Sequence, residues 1–187
     1  MSVRCLAILY NDICHIQRCI VAMFCGAVLL PLFQNYIGMA SLQDGIDYYS
    51  EVHTNMWTHI IHTLYMPWLA YGCFCIFSGL FCHTGVEAIQ GIHVILCFYI
   101  GHYTLICPIY AILIYILYSY PALYAAARFH RFSPYNSEIV SEGALIVIGA
   151  LVMQEYGGHY LSGDPPSRLE AIPNAILYAP YYTVNYF

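Results

Sequence analysis

Long apolar runs separated by short polar stretches dominate the chain, and their lengths set the first reading of the fold. Ile20 to Phe33 is a run of 14 residues, short of the roughly 20 that a helix needs to cross a bilayer, so it suits a signal-peptide core or an interfacial helix. Gln34 to Tyr49 is more polar, carries Gly38, Asp44, Gly45 and Asp47, and reads as a surface connection. Thr54 or Asn55 offers a helix cap, and a first crossing extends from there to about Phe81, followed by a turn through Cys82 to Glu87. The next run, Gly91 to Ala127, has 37 residues, about twice what one crossing takes at roughly 20 residues per span. It therefore reads as two crossings, broken at Pro108 or at Tyr118 to Pro121, because proline removes a backbone donor and disfavours helix in the residue before it. Arg128 to Glu138 is a polar loop. A last crossing runs from about Ile139 to Tyr156, with Gly143, Ala144, Gly149 and Ala150 small enough to let a neighbouring helix approach. After a loop at Ser162 to Arg168, Ile172 to Phe187 is apolar but broken by Pro173 and Pro180, as in a re-entrant or interfacial helix.

The expected fold is all-α: a polytopic membrane helix bundle of about four transmembrane helices plus a C-terminal re-entrant or interfacial helix. Residues 1–41 form an N-terminal extension, a signal or interfacial segment, and residues 42–187 a single membrane-embedded helical domain. Composition agrees, since 61% of positions are hydrophobic and 8% charged, against roughly 25% charge in soluble domains. The net charge is −5 and all five basic residues are arginines, at positions 4, 18, 128, 131 and 168. Cations so few and scattered make no phosphate-binding surface, which excludes nucleic acid as a partner. Nine cysteines do not make a disulfide framework, because Cys73, Cys75, Cys97 and Cys107 lie inside apolar runs, where a thiol packs as a small hydrophobe. Many of the 20 tyrosines fall near the ends of the runs and suit the headgroup level.

Chemistry concentrates in two places. His53, His59 and His62 put three of the nine histidines at the mouth of the first crossing, and Gln154-Glu155-Tyr156-Gly157-Gly158-His159 closes the last. With two crossings between them, both clusters lie on the same membrane face and can form one site. His59 and His62 are neighbours on a helix face. His53 can join His62 only if the chain before about Asn55 is not helical. Gly157-Gly158 lets the backbone before His159 come close to a bound group. Neutral imidazole suits ferrous iron, zinc or copper, and Glu51 or Glu155 could complete a site. His15, His83, His93, His102 and His130 read as hydrogen-bonded structural groups. His93 and His102, in mid-membrane, also leave open a relay or a haem-binding, electron-transfer protein, and a non-catalytic membrane scaffold is the third alternative.

The order Tyr49, His53, Asn55, His62, Pro67, followed downstream by Gln154, Gly158, His159, Pro166 and Ala179-Pro180, resembles the Mpo-type (YGL-type) family of endoplasmic-reticulum membrane proteins, the 2-hydroxy fatty acid dioxygenases. The resemblance covers about Ile46 to Tyr182, with the middle alike only in hydrophobicity. The chain departs from the family pattern at Thr58, where an asparagine is usual, by one extra residue between Gln154 and His159, and at Ser162-Gly163-Asp164, which replaces a Glu-Lys-Arg patch. The resemblance implies an iron(II)-dependent dioxygenase of the endoplasmic-reticulum membrane, a multi-pass protein that takes a long-chain 2-hydroxy fatty acid and O2 and yields the fatty acid one carbon shorter plus CO2. It further implies that His53, His62 and His159 hold Fe2+, with His59 in support, and that Asn55 and Gln154 orient ligands or the substrate carboxylate. The acyl tail would lie between helices or in membrane lipid.

Overall fold

Apolar surroundings leave a backbone no hydrogen-bond partner but itself, and the runs identified above accordingly fold as helices. The computed structural model describes residues 3–36, 41–81, 88–132 and 137–167, together with Tyr178 and Tyr181. The described residues are all-helical, without a strand: α1 Val3–Tyr36, α2 Leu42–Val52, α3 Met56–Phe81, α4 Ala88–Ile106, α5 Pro108–Phe132 and α6 Ser137–Val152, which continues directly into a π-helical segment, Met153–Tyr160. The expected turn at Cys82 to Glu87 and, apart from Tyr178 and Tyr181, the expected C-terminal re-entrant segment lie outside the described residues.

Three helices are long and apolar enough to cross a membrane: Tyr10–Tyr36, Met56–Gly79 and Ser137–Tyr160. The apolar parts of the pair between them, Gln90–Ile106 and Pro108–Ser119, are shorter. The run from Ile20 to Phe33 underestimates α1, because the polar residues before it, among them His15, Gln17 and Arg18, remain helical and extend the span. Three apolar faces stay open to the surroundings, with Phe24, Val28 and Leu32 of α1, Ile109, Ile112 and Ile116 of α5, and Leu145 and Ile148 of α6 all exposed, as side chains facing lipid are.

The 37-residue run breaks at Cys107, the residue before Pro108, and not at Pro121, which lies inside α5. Cys107 still donates to Tyr103 and accepts from Ala111, so the break costs no backbone hydrogen bond at that residue. Two further differences concern polar stretches. The connection expected up to Tyr49 contains α2, which Ser41 starts with a reciprocal cap: its hydroxyl accepts from the Asp44 amide and its own amide donates to the Asp44 carboxylate. The loop expected from Arg128 is helical as far as Phe132.

Glycines set the two long helix contacts. Gly72 of α3 and Gly143 of α6 face each other so closely that a Cβ on Gly143 would sit 2.7 Å from Cys75 Cβ and 2.8 Å from the Gly72 carbonyl oxygen. Further along, Met66 meets Gln154 and Thr58 meets Gly158, so α3 and α6 run antiparallel. The start of α3 therefore lies beside the end of α6. On the other side of the bundle, Gly26 of α1 lies against the Phe98 backbone and Gly101 of α4 against the Met23 backbone, and with His15 on His93 and Arg18 on Gln90 nearer their starts the two helices run parallel. Tyr71, Phe74, Cys75, Ile92, Leu96, Tyr103, Ile114 and Tyr178 fill the space between.

The expected outcome of this packing is a contrast between two glycines of α6. Gly143→Ala forces a methyl into the α3 backbone and costs about 1–3 kcal/mol, as overpacking of a filled contact does. Gly149, with nothing within 4 Å of its Cβ position, should accept alanine at no cost or with a gain of up to about 1 kcal/mol. Unfolding of the two variants in the same detergent measures the difference.

Candidate metal centre

The antiparallel contact of α3 and α6 brings the two histidine clusters to one end of the bundle. α2 stops at Val52, and His53 and Thr54 have left the helix by the time Asn55 caps α3, its side-chain oxygen accepting from the Trp57 amide at 2.9 Å. That short non-helical link turns the His53 ring onto His62, 4.5 Å away between centroids and edge to face. His159 closes the triangle, 4.7 Å from His53 and 5.1 Å from His62.

One nitrogen of each ring can point at a shared centre, and these three ligand atoms lie within 4.8 Å of one another. The other contacts of the rings decide which nitrogen is left. His53 Nδ1 bonds the Tyr49 carbonyl at 2.9 Å, and the Tyr49 ring stacks on the imidazole at 3.6 Å. His159 Nε2 bonds the Ser167 hydroxyl at 3.2 Å. His62 makes a hydrogen-bonding contact with the Gln154 backbone. The inward nitrogens, His53 Nε2, His62 Nε2 and His159 Nδ1, are buried and have no hydrogen-bond partner among the described residues. Each such orphan costs about 1–3 kcal/mol, and three aimed at one point are what a bound cation would relieve. Burial also holds His53 down to about 3, against the Tyr49 hydrogen bond that favours its charged form, so its imidazole is neutral and ready to ligate at neutral pH.

The π-helical segment makes this closure possible. A Cβ on Gly158 would come 3.3 Å from His62 Cδ2 and 3.4 Å from His62 Nε2, so a side chain here would push the ring by a few tenths of an ångström and glycine leaves it room. The carbonyls at this helix end are met by α3 side chains and by Ser162: Trp57 Nε1 donates to Gly157 at 3.1 Å, the Thr58 hydroxyl lies 3.1 Å from the Gly158 carbonyl, and Ser162 Oγ donates to His159 at 3.1 Å.

The remaining residues expected at the site divide. Gln154 is buried beside the cluster, its amide donating to the Met66 sulfur at 3.5 Å. Asn55 ties α3 to the loop after the π-helical segment, its side chain donating to the Ser162 carbonyl at 3.2 Å. His59 lies outside the three-nitrogen group, its ring 6.0 Å from His53. Glu51 and Glu155 are exposed, and the Glu155 carboxylate accepts from the Ser167 amide, so neither completes the triangle. Of the two histidines expected in mid-membrane, His93 stacks on His15, and His102 is buried against Tyr103 with neither ring nitrogen hydrogen-bonded among the described residues, contrary to the hydrogen-bonded role expected of it.

Asp164 is the residue that sequence reasoning passed over. It is buried, and its carboxylate accepts from the Thr54 and Thr58 hydroxyls and from the Asn55 amide. Gly163, with φ of +79°, provides the left-handed turn that folds Asp164 back onto α3. Two of the three departures from the pattern of the family it resembles are thus partners: fully buried Thr58 bonds the aspartate of Ser162-Gly163-Asp164. No spacing rule points to that pairing across more than a hundred positions.

Comparisons with protein-family models, with curated proteins and with solved structures find no match to this chain.

Burial raises the Asp164 carboxyl, but the hydrogen bonds from Thr54, Thr58 and Asn55 outweigh it and hold the group down to about 2. A carboxyl lowered in the folded state stabilises the fold at pH values above its ordinary 3.8 and loses that contribution as pH falls from about 4 to about 2. Unfolding measured across this window is expected to weaken in the wild type and to change less in Asp164→Ala, which at neutral pH is itself less stable by about 2 kcal/mol.

Proposed function

We propose that the chain is a membrane-embedded, iron(II)-dependent dioxygenase of the endoplasmic reticulum that converts a long-chain 2-hydroxy fatty acid and O2 into the fatty acid one carbon shorter, CO2 and water. The observation that carries this reading is the convergence of three buried, unpartnered imidazole nitrogens within 4.8 Å. Three neutral nitrogen ligands leave coordination positions open, which suits non-haem iron and is unlike a closed structural site. Iron(II) held there would supply the one-electron and O2 chemistry that α-oxidation needs.

The chain's own groups prepare the place. The Tyr49 carbonyl fixes the tautomer of His53 so that Nε2 keeps its lone pair, and the Ser167 hydroxyl, taken as acceptor from His159 Nε2–H, does the same for His159 Nδ1. A divalent ion on three neutral imidazoles carries its whole charge into a buried site, where an unbalanced charge is costly. Asp164 is the nearby buried anion, and a substrate carboxylate supplies the further negative charge. The cluster sits at the start of α3, where apolar helix surface begins. A carboxylate can reach it from the headgroup level while the acyl tail lies along the exposed α6 residues Val152 and Leu151. Gln154, buried next to His62, has a side-chain carbonyl oxygen of the kind that accepts from a 2-hydroxyl.

The test is iron content and turnover on detergent-purified protein loaded anaerobically with ferrous iron. The wild type is expected to hold about one iron per chain and to consume O2 with 2-hydroxy long-chain acids but not with the unsubstituted acids. His53→Ala, His62→Ala and His159→Ala lose both properties while remaining folded, and His59→Ala keeps its iron. Ser167→Ala weakens iron binding by roughly 10–100-fold, the usual cost of removing a ligand's outer partner. A wild type without iron, or iron indifferent to all three substitutions, would sink the proposal and favour a non-catalytic scaffold.

A further inference from the structure

An arginine without a counter-charge stands beside an apolar cleft where α1 and α4 pack together, at the end of the bundle away from the three histidines. Seven steps of chain join Phe81 to Ala88 and reach at most about 25 Å, short of the roughly 39 Å that α3 covers at 1.5 Å per residue. The start of α4 therefore belongs to the far end of α3, and Arg18 of α1, which donates to the Gln90 side chain at 3.2 Å, stands level with it. Arg18 is exposed, and no carboxylate is among its partners in the described residues. Asp12, the acidic residue of α1, is six positions earlier and so about 120° away around the helix. The His15 and His93 rings, stacked less than a turn from Arg18 and Gln90, add no negative charge.

Beyond the guanidinium the surroundings are apolar. The cleft has a volume of about 660 Å³, with Arg18 among the residues at its outer end and Val21, Ala22, Val94, Ile95 and Phe98 lining it toward the membrane interior. From Gln90 to Phe98 α4 rises about 12 Å. Arg18 is the ninth residue of the candidate span Tyr10–Tyr36 and directly precedes the apolar run, so it stands where headgroups give way to hydrocarbon. A charged guanidinium at that depth is costly unless an anion meets it.

We propose that this cleft is a binding site for an anionic phospholipid, with the phosphate on Arg18 and one acyl chain between α1 and α4. The guanidinium fork matches a phosphate in geometry and charge, and Gln90, by accepting from one of its amino groups, limits how far it can turn away. Basic pockets between membrane helices hold phospholipid headgroups in this way. Depth favours a phosphate over a carboxylate. A fatty acid carboxyl can shed its charge by taking a proton as it enters an apolar setting, whereas a phosphodiester stays ionised and keeps the ion pair. A choline lipid carries the same phosphate, but its own ammonium offsets the charge, so a lipid of net negative charge binds more tightly. No bond is made or broken, and the lipid acts as a tie between α1 and α4.

Native mass spectrometry of the full chain in detergent tests the site, with dioleoyl phosphatidylglycerol, dioleoyl phosphatidylcholine and oleic acid offered in equal amounts. The expected result is one phosphatidylglycerol per chain that survives activation after the other two have left. Arg18→Gln lowers its occupancy by roughly 10–100-fold, the worth of hydrogen bonds to a charged group. Val21→Trp keeps the cation, fills the cleft from an exposed position and lowers the occupancy as well. His62→Ala, at the other end of the bundle, leaves it unchanged, which separates this site from any fatty acid bound at the histidines. The wild-type preference and the Val21 variant decide the matter if Arg18→Gln does not fold. Equal retention of the two phospholipids, preferential retention of oleic acid, or phosphatidylglycerol binding indifferent to Arg18→Gln or to Val21→Trp would overturn the proposal.

Discussion

The buried carboxylate of Asp164 is the junction on which the arrangement of the histidines depends. It comes from the loop after the last helix, and every donor it accepts from belongs to the start of α3 or the residue pair before it: Thr54, Asn55 and Thr58. A negative charge at a helix N-terminus is favoured by the unpaired amides and the dipole there, and charge-assisted bonds are stronger than neutral ones. The same few residues carry the metal-type ligands. His53 directly precedes Thr54, His62 is one turn beyond Thr58, and His159 is held by Ser162, whose hydroxyl also accepts from the Asp164 amide. One ionised group thereby fixes three ligands that come from three separate segments.

Packing determines how far that junction can work. Helices in lipid gain little from burying apolar surface against each other and depend on close contact instead. Gly72 and Gly143 bring α3 and α6 near enough for the Trp57 and Thr58 side chains to reach carbonyls of the opposite helix end. The π-helical turn then widens the last stretch of α6 so that Gly158 lies against His62 and His159 turns inward. Such turns free carbonyls from the ordinary helix pattern and recur at functional sites. Here the Gly157 and His159 carbonyls accept from the Trp57 and Ser162 side chains, and the Thr58 hydroxyl, whose proton goes to Asp164, lies beside the Gly158 carbonyl, so the irregularity is built in and does not mark a weak point.

What could be read from the sequence follows from which forces act locally. The limits of α3, the break before Pro108 and the cap at Asn55 depend on residues within a turn or two, and the apolar pattern with proline and capping rules gives the first and narrows the others to Pro108 or Tyr118–Pro121 and to Thr54 or Asn55. The meeting of His53, His62 and His159 was legible too, through the two apolar helices expected between the clusters and the need for a non-helical chain before about Asn55, which the structure confines to the residues just after Val52. α2 was missed because Asp44, Gly45 and Asp47 suggest a loop. Its stability comes from the Ser41–Asp44 cap and from the Tyr178 ring packed against Gly45, a contact across more than a hundred residues. Asp164 and the π-helical turn were illegible for the same reason. Both exist because of what lies opposite them on α3. The length of α1 was hidden because His15, Arg18 and Cys19 look like a polar flank until α4 lies alongside them.

Charge decides what the proposed three-histidine site can take. Three imidazoles around a divalent ion leave two positive charges, and Asp164 can offset one of them from its place on α3. The uncompensated charge is an attraction for an anion small enough to enter beside Gln154 and long enough in its apolar part to remain among exposed leucines, isoleucines and valines. A fatty acid carboxylate meets both conditions, and a neutral lipid meets only the second.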